Sequence, residues 1–259
     1  MPHQTNKSPR IGVGYTDPEQ QDRAEKLAAQ LGLPRAAEGA NFDFIMRCTD
    51  QRLELIRQND PALTGSVWVD FVQGPSGYRR VRGGSEMLIR AIGHKKNMPT
   101  SVLDATGGLG RDTFIMASRG CHVHIVEENP IVAALLKDGL CRASEHPDTK
   151  EICSRIRLTI GDSCQLLTRK SRTGKYDVIY LDPMFPKRSK SARVKKELQI
   201  LQLLVGGENG TDLLFAAALK EAEKRVVVKR PKSAPPLPGR SPSYSLGGKT
   251  TRFDVYLTG

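Results

Sequence analysis

From Pro99 to Pro231, short apolar runs and longer amphipathic runs take turns, and this alternation limits the possible fold more than any other feature of the chain. "SVLDA", "CHVHIVE", "IRLTIGD", "YDVIYLD" and "RVVVKR" are rich in β-branched residues and read as strands. Between them, "RDTFIMASRG", "PIVAALLKDGLCRA", "SCQLLTRK", "RVKKELQILQLLV" and "TDLLFAAALKEAEK" read as helices. In the second of these, Val132, Leu135, Leu136, Gly139, Leu140 and Ala143 share one face at helical spacing. Strands separated by helices argue for βαβ units and a parallel sheet. Right-handed crossovers place helices on both faces of such a sheet, and ligands bind at the carboxyl ends of its strands. The last run, "RFDVYL", is reached through the Pro/Gly/Ser-rich "PKSAPPLPGRSPSYSLGG" with no helix between, so it is expected to enter the sheet antiparallel. This predicts an α/β domain over residues 96–259. Residues 1–95 read as a small α+β lobe: strands at "IGVGY", "NFDFIMRCT" and "SVWVDFV", a helix capped by Asp17-Pro18 and stopped at Gly32-Leu33-Pro34, and a second helix at "SEMLIRAIG".

The chain of 259 residues carries a net charge of +12, which favours a polyanionic partner. No apolar run approaches the ~18 residues of a membrane span, and "MPHQTNKSPR" lacks the apolar core of a signal peptide. A cytoplasmic protein is therefore expected. The five cysteines are scattered without a C-x-x-C pair, so they are expected to be reduced thiols, with no structural metal.

Chemistry concentrates at the strand ends. "LDATGGLGRD" puts Asp104 on a strand and Gly107, Gly108 and Gly110 in the turn after it, where glycine allows close approach of a ligand. Thr113 stands where a dinucleotide fingerprint would place its third glycine, which argues against a pyrophosphate site. The second strand ends on Glu127-Glu128, placed to accept from ribose hydroxyls, a device shared by nicotinamide and S-adenosylmethionine enzymes. The third ends on Gly161-Asp162-Ser163, where Asp162 either accepts from an adenine amine or caps the next helix. The fourth ends on "LDPMFP". Asp182 and the Pro183 carbonyl can accept from an exocyclic base amine and aim its lone pair, while Phe185 stacks on a flipped base. Basic residues follow at Lys187, Arg188, Lys190, Arg193, Lys195 and Lys196. Arg79, Arg80 and Arg82 form a second cluster, and Lys229 and Arg230 lie in a third. Beside a base pocket, such clusters are expected to hold RNA phosphates.

The blocks "DATGGLGRDTF", "ENPIVAALLKDGL", "YLDPMFP", "KRVVVKRP", "APPL" and "RFDVY" resemble the bacterial small-subunit ribosomal RNA guanine-N2 methyltransferase J family. The match is strong from Pro99 to Leu257, looser through "WVDFVQG" and "GGSEMLIRAIG", and poor over the first 60 residues. The resemblance implies a class I S-adenosylmethionine-dependent methyltransferase domain, Rossmann-like and mostly parallel with an antiparallel last strand. It also implies methylation of a guanine N2 amine in 16S rRNA, on naked RNA, a particle or the 30S subunit. Cofactor contacts are implied at Arg111, Asp112, Glu127, Glu128, Asp162, Ser163 and Asp182; at Asp162 the sequence departs from the small hydroxyl residue of relatives. An adenine-N6 methyltransferase and a non-catalytic rRNA-binding assembly factor are the alternative readings.

Overall fold

The structure, a computed structural model, describes residues 9–36, 41–58, 60, 65–73, 86–169, 175–183, 196–205 and 210–259. Two compact units emerge. One runs to Val69 and takes in a later helix, Lys196–Val205; the other begins at Asp70 and holds the rest.

The smaller unit is a four-stranded sheet in the order β1 (Ile11–Tyr15), β2 (Phe44–Cys48), β3 (Leu53–Arg57), β4 (Ser66–Val67). β1 and β2 are parallel and the remaining pairs antiparallel. Asp17 Oδ1 accepts from the Glu19 amide and caps a 3-10 turn, Pro18–Gln20, rather than the helix itself; helix α1 (Gln21–Leu31) follows it directly and ends at Gly32 with φ of 62°. Alternation buries Phe44, Met46 and Cys48 on one face of β2. "LELIR", which carries too little alternation to read as a strand, is β3. Buried Glu54 on β3 accepts from Arg47 Nη2 at 2.7 Å and Arg52 Nε at 2.8 Å, and Arg52 stacks 4.1 Å over the ring of Trp68. "SVWVDFV" is a strand only over its first two residues.

The larger unit is a seven-stranded sheet. In chain order its elements are α2 (Glu86–Ile92), β5 (Ser101–Asp104), α3 (Arg111–Ser118), β6 (His122–Glu127), α4 (Pro130–Glu145), α5 (Lys150–Cys153), β7 (Ile156–Ile160), α6 (Ser163–Thr168), β8 (Tyr176–Leu181), α8 (Thr211–Glu221), β9 (Ala222–Pro231), β10 (Tyr244–Gly247) and β11 (Thr251–Leu257); helix Lys196–Val205 of the smaller unit is α7. The spatial order is β10-β11-β9-β8-β5-β6-β7. β5 to β9 are mutually parallel, and β11 lies antiparallel to β9, as its helix-free connection requires. β10, hidden in the Pro/Gly/Ser-rich connector, forms a hairpin with β11. α2, read from sequence as part of the first lobe, packs instead on the larger sheet: Leu88, Ala91 and Ile92 join Val102, Met116, Val178, Val227 and Phe253 in one core. The expected boundary near residue 95 therefore falls too late.

Leu103, Val126, Ile179, Val226, Val228, Phe215 and Tyr256 form the core on the opposite face. Neighbouring residues of one strand thus bury on opposite sides, which is why these strands are apolar throughout. β5 and β8 are adjacent, and chain order runs outward from them through β6 and β7 on one side and to β9 on the other, where β11 then inserts between β9 and β10. Their carboxyl ends are the switch point at which an open α/β sheet opens a crevice.

Away from that crevice, buried His124 on β6 meets Tyr176 Oη at 2.5 Å through Nδ1 and Thr159 Oγ1 at 2.8 Å through Nε2. Burial first, and the charge of Arg157 second, lower its pKa from 6.5 to about 4. A base held below its unfolded value stabilises the fold fully above about pH 6.5, and that contribution is lost as pH falls toward about 4. His124→Gln is expected to flatten this part of the pH dependence. Urea midpoints of both proteins at pH 7.5 and pH 5 check it, because other groups titrating in that window cancel in the difference. Equal slopes would remove the role.

Candidate active site

The glycine turn is shaped by its neighbours. A Cβ on Gly107 would lie 2.9 Å from the Val126 carbonyl oxygen, and one on Gly110, at φ of 70°, would lie 2.6 Å from Leu136 Cδ1. These two glycines let the turn pack on β6 and α4. Gly108 differs: its φ is 54° and a Cβ there would meet only the Thr106 carbonyl oxygen, at 3.9 Å. All three glycine N–H groups are engaged, donating to the Val126 carbonyl, to Glu127 Oε2 at 2.6 Å and to the Gly107 carbonyl. None of the three is left for the phosphate oxygens of a dinucleotide.

The glutamate pair divides its labour. Glu127 is 9% exposed and accepts from the amides of Gly108 and Asn129, the latter at 2.8 Å, so it braces the turn against the end of β6. Burial, opposed by those two hydrogen bonds, raises its pKa above the ordinary value. Glu128 is exposed and offers the open carboxylate at this strand end. At the third strand end the capping reading of Asp162 is what the geometry shows: Oδ1 accepts from the amides of Cys164 and Gln165. Ser163 is buried and its hydroxyl donates to the Ala105 carbonyl at 2.7 Å, linking α6 to the end of β5. Arg111 and Asp112 form the half-buried first turn of α3.

One face of the sheet collects the charge. Strand alternation runs on past the last apolar residue, so Asp104 follows Val102, Asp182 follows Tyr180 and Lys229 follows Val227, all on the side where α3 packs. Lys229 Nζ donates to Asp112 Oδ2 at 2.7 Å and to Asp182 Oδ2 at 2.8 Å. The Tyr180 hydroxyl donates to the same Asp112 oxygen at 2.6 Å, and the Asp182 amide donates to Thr106 Oγ1 at 2.6 Å. Asp104, 2% exposed, accepts from the Thr113 hydroxyl. Burial pushes its carboxyl up to about 7; the Thr113 hydrogen bond opposes this and the charges of Asp112 and Asp182 add to it. Pro183 is buried directly after Asp182.

The third basic cluster is redrawn. Lys229 is committed to two carboxylates, and Arg230, on the other face of β9, is 5% exposed with Nη2 on the Pro235 carbonyl. A buried guanidinium held by a main-chain carbonyl is not disposed to hold a phosphate. The role of Lys229, with those of Tyr180 and Thr106, was missed in the sequence although a signal was present: in a strand, adjacent residues such as Lys229 and Arg230 point to opposite faces and cannot form one patch. Phe185, Lys187, Arg188, Lys190, Arg193, Lys195, Arg79, Arg80 and Arg82 lie outside the described residues, and Lys196 is the first residue of α7. Among the described residues no His, Cys, Asp or Glu side chains are grouped to hold a metal ion, and no helix is long and apolar enough to cross a membrane.

The donor set fits S-adenosylmethionine better than a phosphate-bearing cofactor. Carboxylates stand at the ends of four strands, β5 to β8, an environment suited to a ligand with a sulfonium and an ammonium group, and a Cβ at Gly108 would meet no side chain. Sheet order and strand-end carboxylates together define a class I S-adenosylmethionine-dependent methyltransferase. A family model described as "Putative SAM-dependent methyltransferase" matches residues 26–258. The chain is 46% identical over 252 residues to ribosomal RNA small subunit methyltransferase J of Thioalkalivibrio sulfidiphilus, covering 96% of this chain and 98% of the relative. Identity to the protein of the same name from Pseudomonas paraeruginosa is 45% over 251 residues, covering 96% and 95%. The crystal structure of a SAM-dependent methyltransferase from Neisseria gonorrhoeae matches with a TM-score of 0.75 at 34% identity, over 95% of this chain and 96% of that one. The chain belongs to the ribosomal RNA small subunit methyltransferase J family. The likeness reaches further toward the N-terminus than the motifs suggested, since the family match begins at residue 26.

Proposed function

We propose that this protein transfers a methyl group from S-adenosylmethionine to the N2 amine of a guanine in 16S ribosomal RNA, in the cytoplasm, with the bare RNA or the small ribosomal subunit as substrate. The observation that carries this reading is the placement of Asp182-Pro183 at the switch point, with the Asp182 main chain tied to Thr106 and its carboxylate facing the side where α3 begins. Family membership supports the same reading.

Bound S-adenosylmethionine supplies a methyl group on a positively charged sulfur, electrophilic without further activation. The chain's task is then positioning. Glu128 accepts from ribose hydroxyls, and Arg111 and Asp112 flank the cofactor after the glycine turn. Asp182 and the Pro183 carbonyl accept the two N–H bonds of the guanine amine, drawing its nitrogen toward tetrahedral geometry and aiming its lone pair. Phe185 stacks on the base. Transfer of labelled methyl from the cofactor to bare 16S rRNA and to purified small subunits, mapped by mass spectrometry, tests the reading. Label on a guanine N2 of 16S rRNA is expected; label on adenine, or none, overturns it.

The basic segment after Pro186 is assigned to RNA phosphates. Neutralising Lys187, Arg188 and Lys190 together is expected to weaken RNA binding and to flatten its salt dependence, by about 0.7–0.9 in log–log slope for each phosphate no longer neutralised. Cofactor affinity should stay at the parent value. Binding titrations from about 50 to 200 mM salt check this, and an unchanged slope would leave the segment a solvated surface.

A further inference from the structure

The sequence groups Lys229 with cations that face RNA, but the structure sets it among carboxylates. Its ammonium makes two short charged hydrogen bonds, to Asp112 at 2.7 Å and to Asp182 at 2.8 Å, while its side chain is 28% exposed. We propose that Lys229 is a positioning residue for methyl transfer: it occupies Oδ2 of Asp182, so that the carboxylate stays ionised and turned with Oδ1 free to accept from the target amine, and through Asp112 it ties this strand end to the helix that follows the glycine turn. The inference rests on the function proposed above.

The charges around Asp182 show why a cation is needed. Asp104 on β5, Asp112 on α3 and Asp182 after β8 share one face, and the nearby Tyr180 hydroxyl is already spent on Asp112. Arg252 and Asp254 on β11 pair with each other at 2.8 Å. Arg230, the next residue of β9, points to the opposite core. Among the described residues, Lys229 is therefore the cation that meets Asp182. Burial, with the neighbouring Asp112, holds the Asp182 carboxyl above its ordinary pKa, and Lys229 limits that rise. A protonated Asp182 would present a donor to an amine that is itself a donor, and the alignment would be lost. Reciprocally, the two carboxylates hold Lys229 protonated above its ordinary range despite burial. The main-chain bond from the Asp182 amide to Thr106 fixes the other end of the residue, so Asp182 is held at both the backbone and one carboxylate oxygen.

Three variants separate this role from plain structural support: Lys229→Met, Lys229→Arg and Asp112→Asn. Two readouts are used. One is the pH profile of single-turnover methyl transfer to small subunits. The other is the titration of the Asp182 carboxyl carbon by NMR in the free protein, assigned through Asp182→Asn. Lys229→Met is expected to lower the rate near neutral pH by about 10²-fold, the scale of losing one preorganised polar group, with KM for the subunit within about threefold because the change is felt in the transition state. Its acidic limb and its carboxyl titration should both move to higher pH. Lys229→Arg should recover much of the rate and return the limb toward the parent. Asp112→Asn removes a negative neighbour and should move the titration of Asp182 the other way, to lower pH. If Lys229→Met does not fold, the opposite displacement in Asp112→Asn and the rescue by arginine still decide. Unmoved titrations in the folded variants would overturn the proposal, as would a Lys229→Met defect confined to the salt dependence of RNA binding. Parent enzyme that leaves 16S rRNA unlabelled, both bare and in small subunits, would overturn the functional reading instead; the carboxyl titration is read without RNA, so the two failures are distinguishable.

Discussion

Asp182→Asn is expected to lower kcat and kcat/KM for methyl transfer together, by about 10²–10³-fold, while leaving RNA binding close to the parent value. The reason lies in the partner at 2.8 Å. Lys229 Nζ requires an acceptor where Asp182 Oδ2 now sits, and an asparagine meets that need only by turning its single oxygen toward the lysine. Its amide nitrogen then faces the target amine, donor against donor. The substitution preserves size and the main-chain bond to Thr106, so the fold is expected to remain. Only the interaction that strengthens as the amine nitrogen becomes tetrahedral is removed. Single-turnover transfer with purified small subunits measures this, and a near-parental rate for Asp182→Asn would sink the amine-alignment mechanism.

Glu127→Ala is expected to damage fold and cofactor binding at once, whereas Glu128→Ala should damage cofactor binding alone. Glu127 satisfies the amides of Gly108 and Asn129 in a site that is 9% exposed. Removing its carboxylate leaves two donors without their acceptor, and about 1–3 kcal/mol of stability goes with a buried group left unpaired. The turn carrying Gly108 loses its brace to β6 at the same time, so S-adenosylmethionine affinity should fall as well. Glu128 is exposed and takes no part in this brace. Its replacement should weaken the cofactor by about 1–3 kcal/mol, the scale of the hydrogen bonds proposed for it, with an unchanged denaturation midpoint. Calorimetric titration with S-adenosylmethionine and urea unfolding of both variants separate the cases. Equal stability of the two variants would mean that Glu127 is no brace.

Most of the larger sheet was legible because its signals are local. Apolar runs of two periods located β5 to β9 and their helices, and the missing helix before "RFDVYL" indicated the antiparallel entry of β11. Elements that failed to show had weak local signals. β3 is interrupted by Glu54, whose charge is neutralised by arginines at positions 47 and 52. β10 borrows its pairing from β11 within a segment whose composition reads as loop. α2 was recognised as a helix, but its apolar face does not say which sheet it covers.

The sequence by itself determined the class of fold, the order of the strand ends and the motif at Asp182, because strand and helix periods, glycine turns and proline-bounded segments act over a few neighbouring residues. Tertiary structure alone decided the roles of paired residues that look alike in the chain. Glu127 and Glu128 differ because one end of β6 is covered by the glycine turn and the next residue is not. Asp162 became a cap because α6 begins there. Lys229 meets Asp112 and Asp182 across sequence separations of 117 and 47 residues, brought together only when β8, β5 and β9 join one sheet and α3 covers their common face. No local rule reads a pairing over that distance, since it exists only where burial of the two apolar cores has already set the strand order.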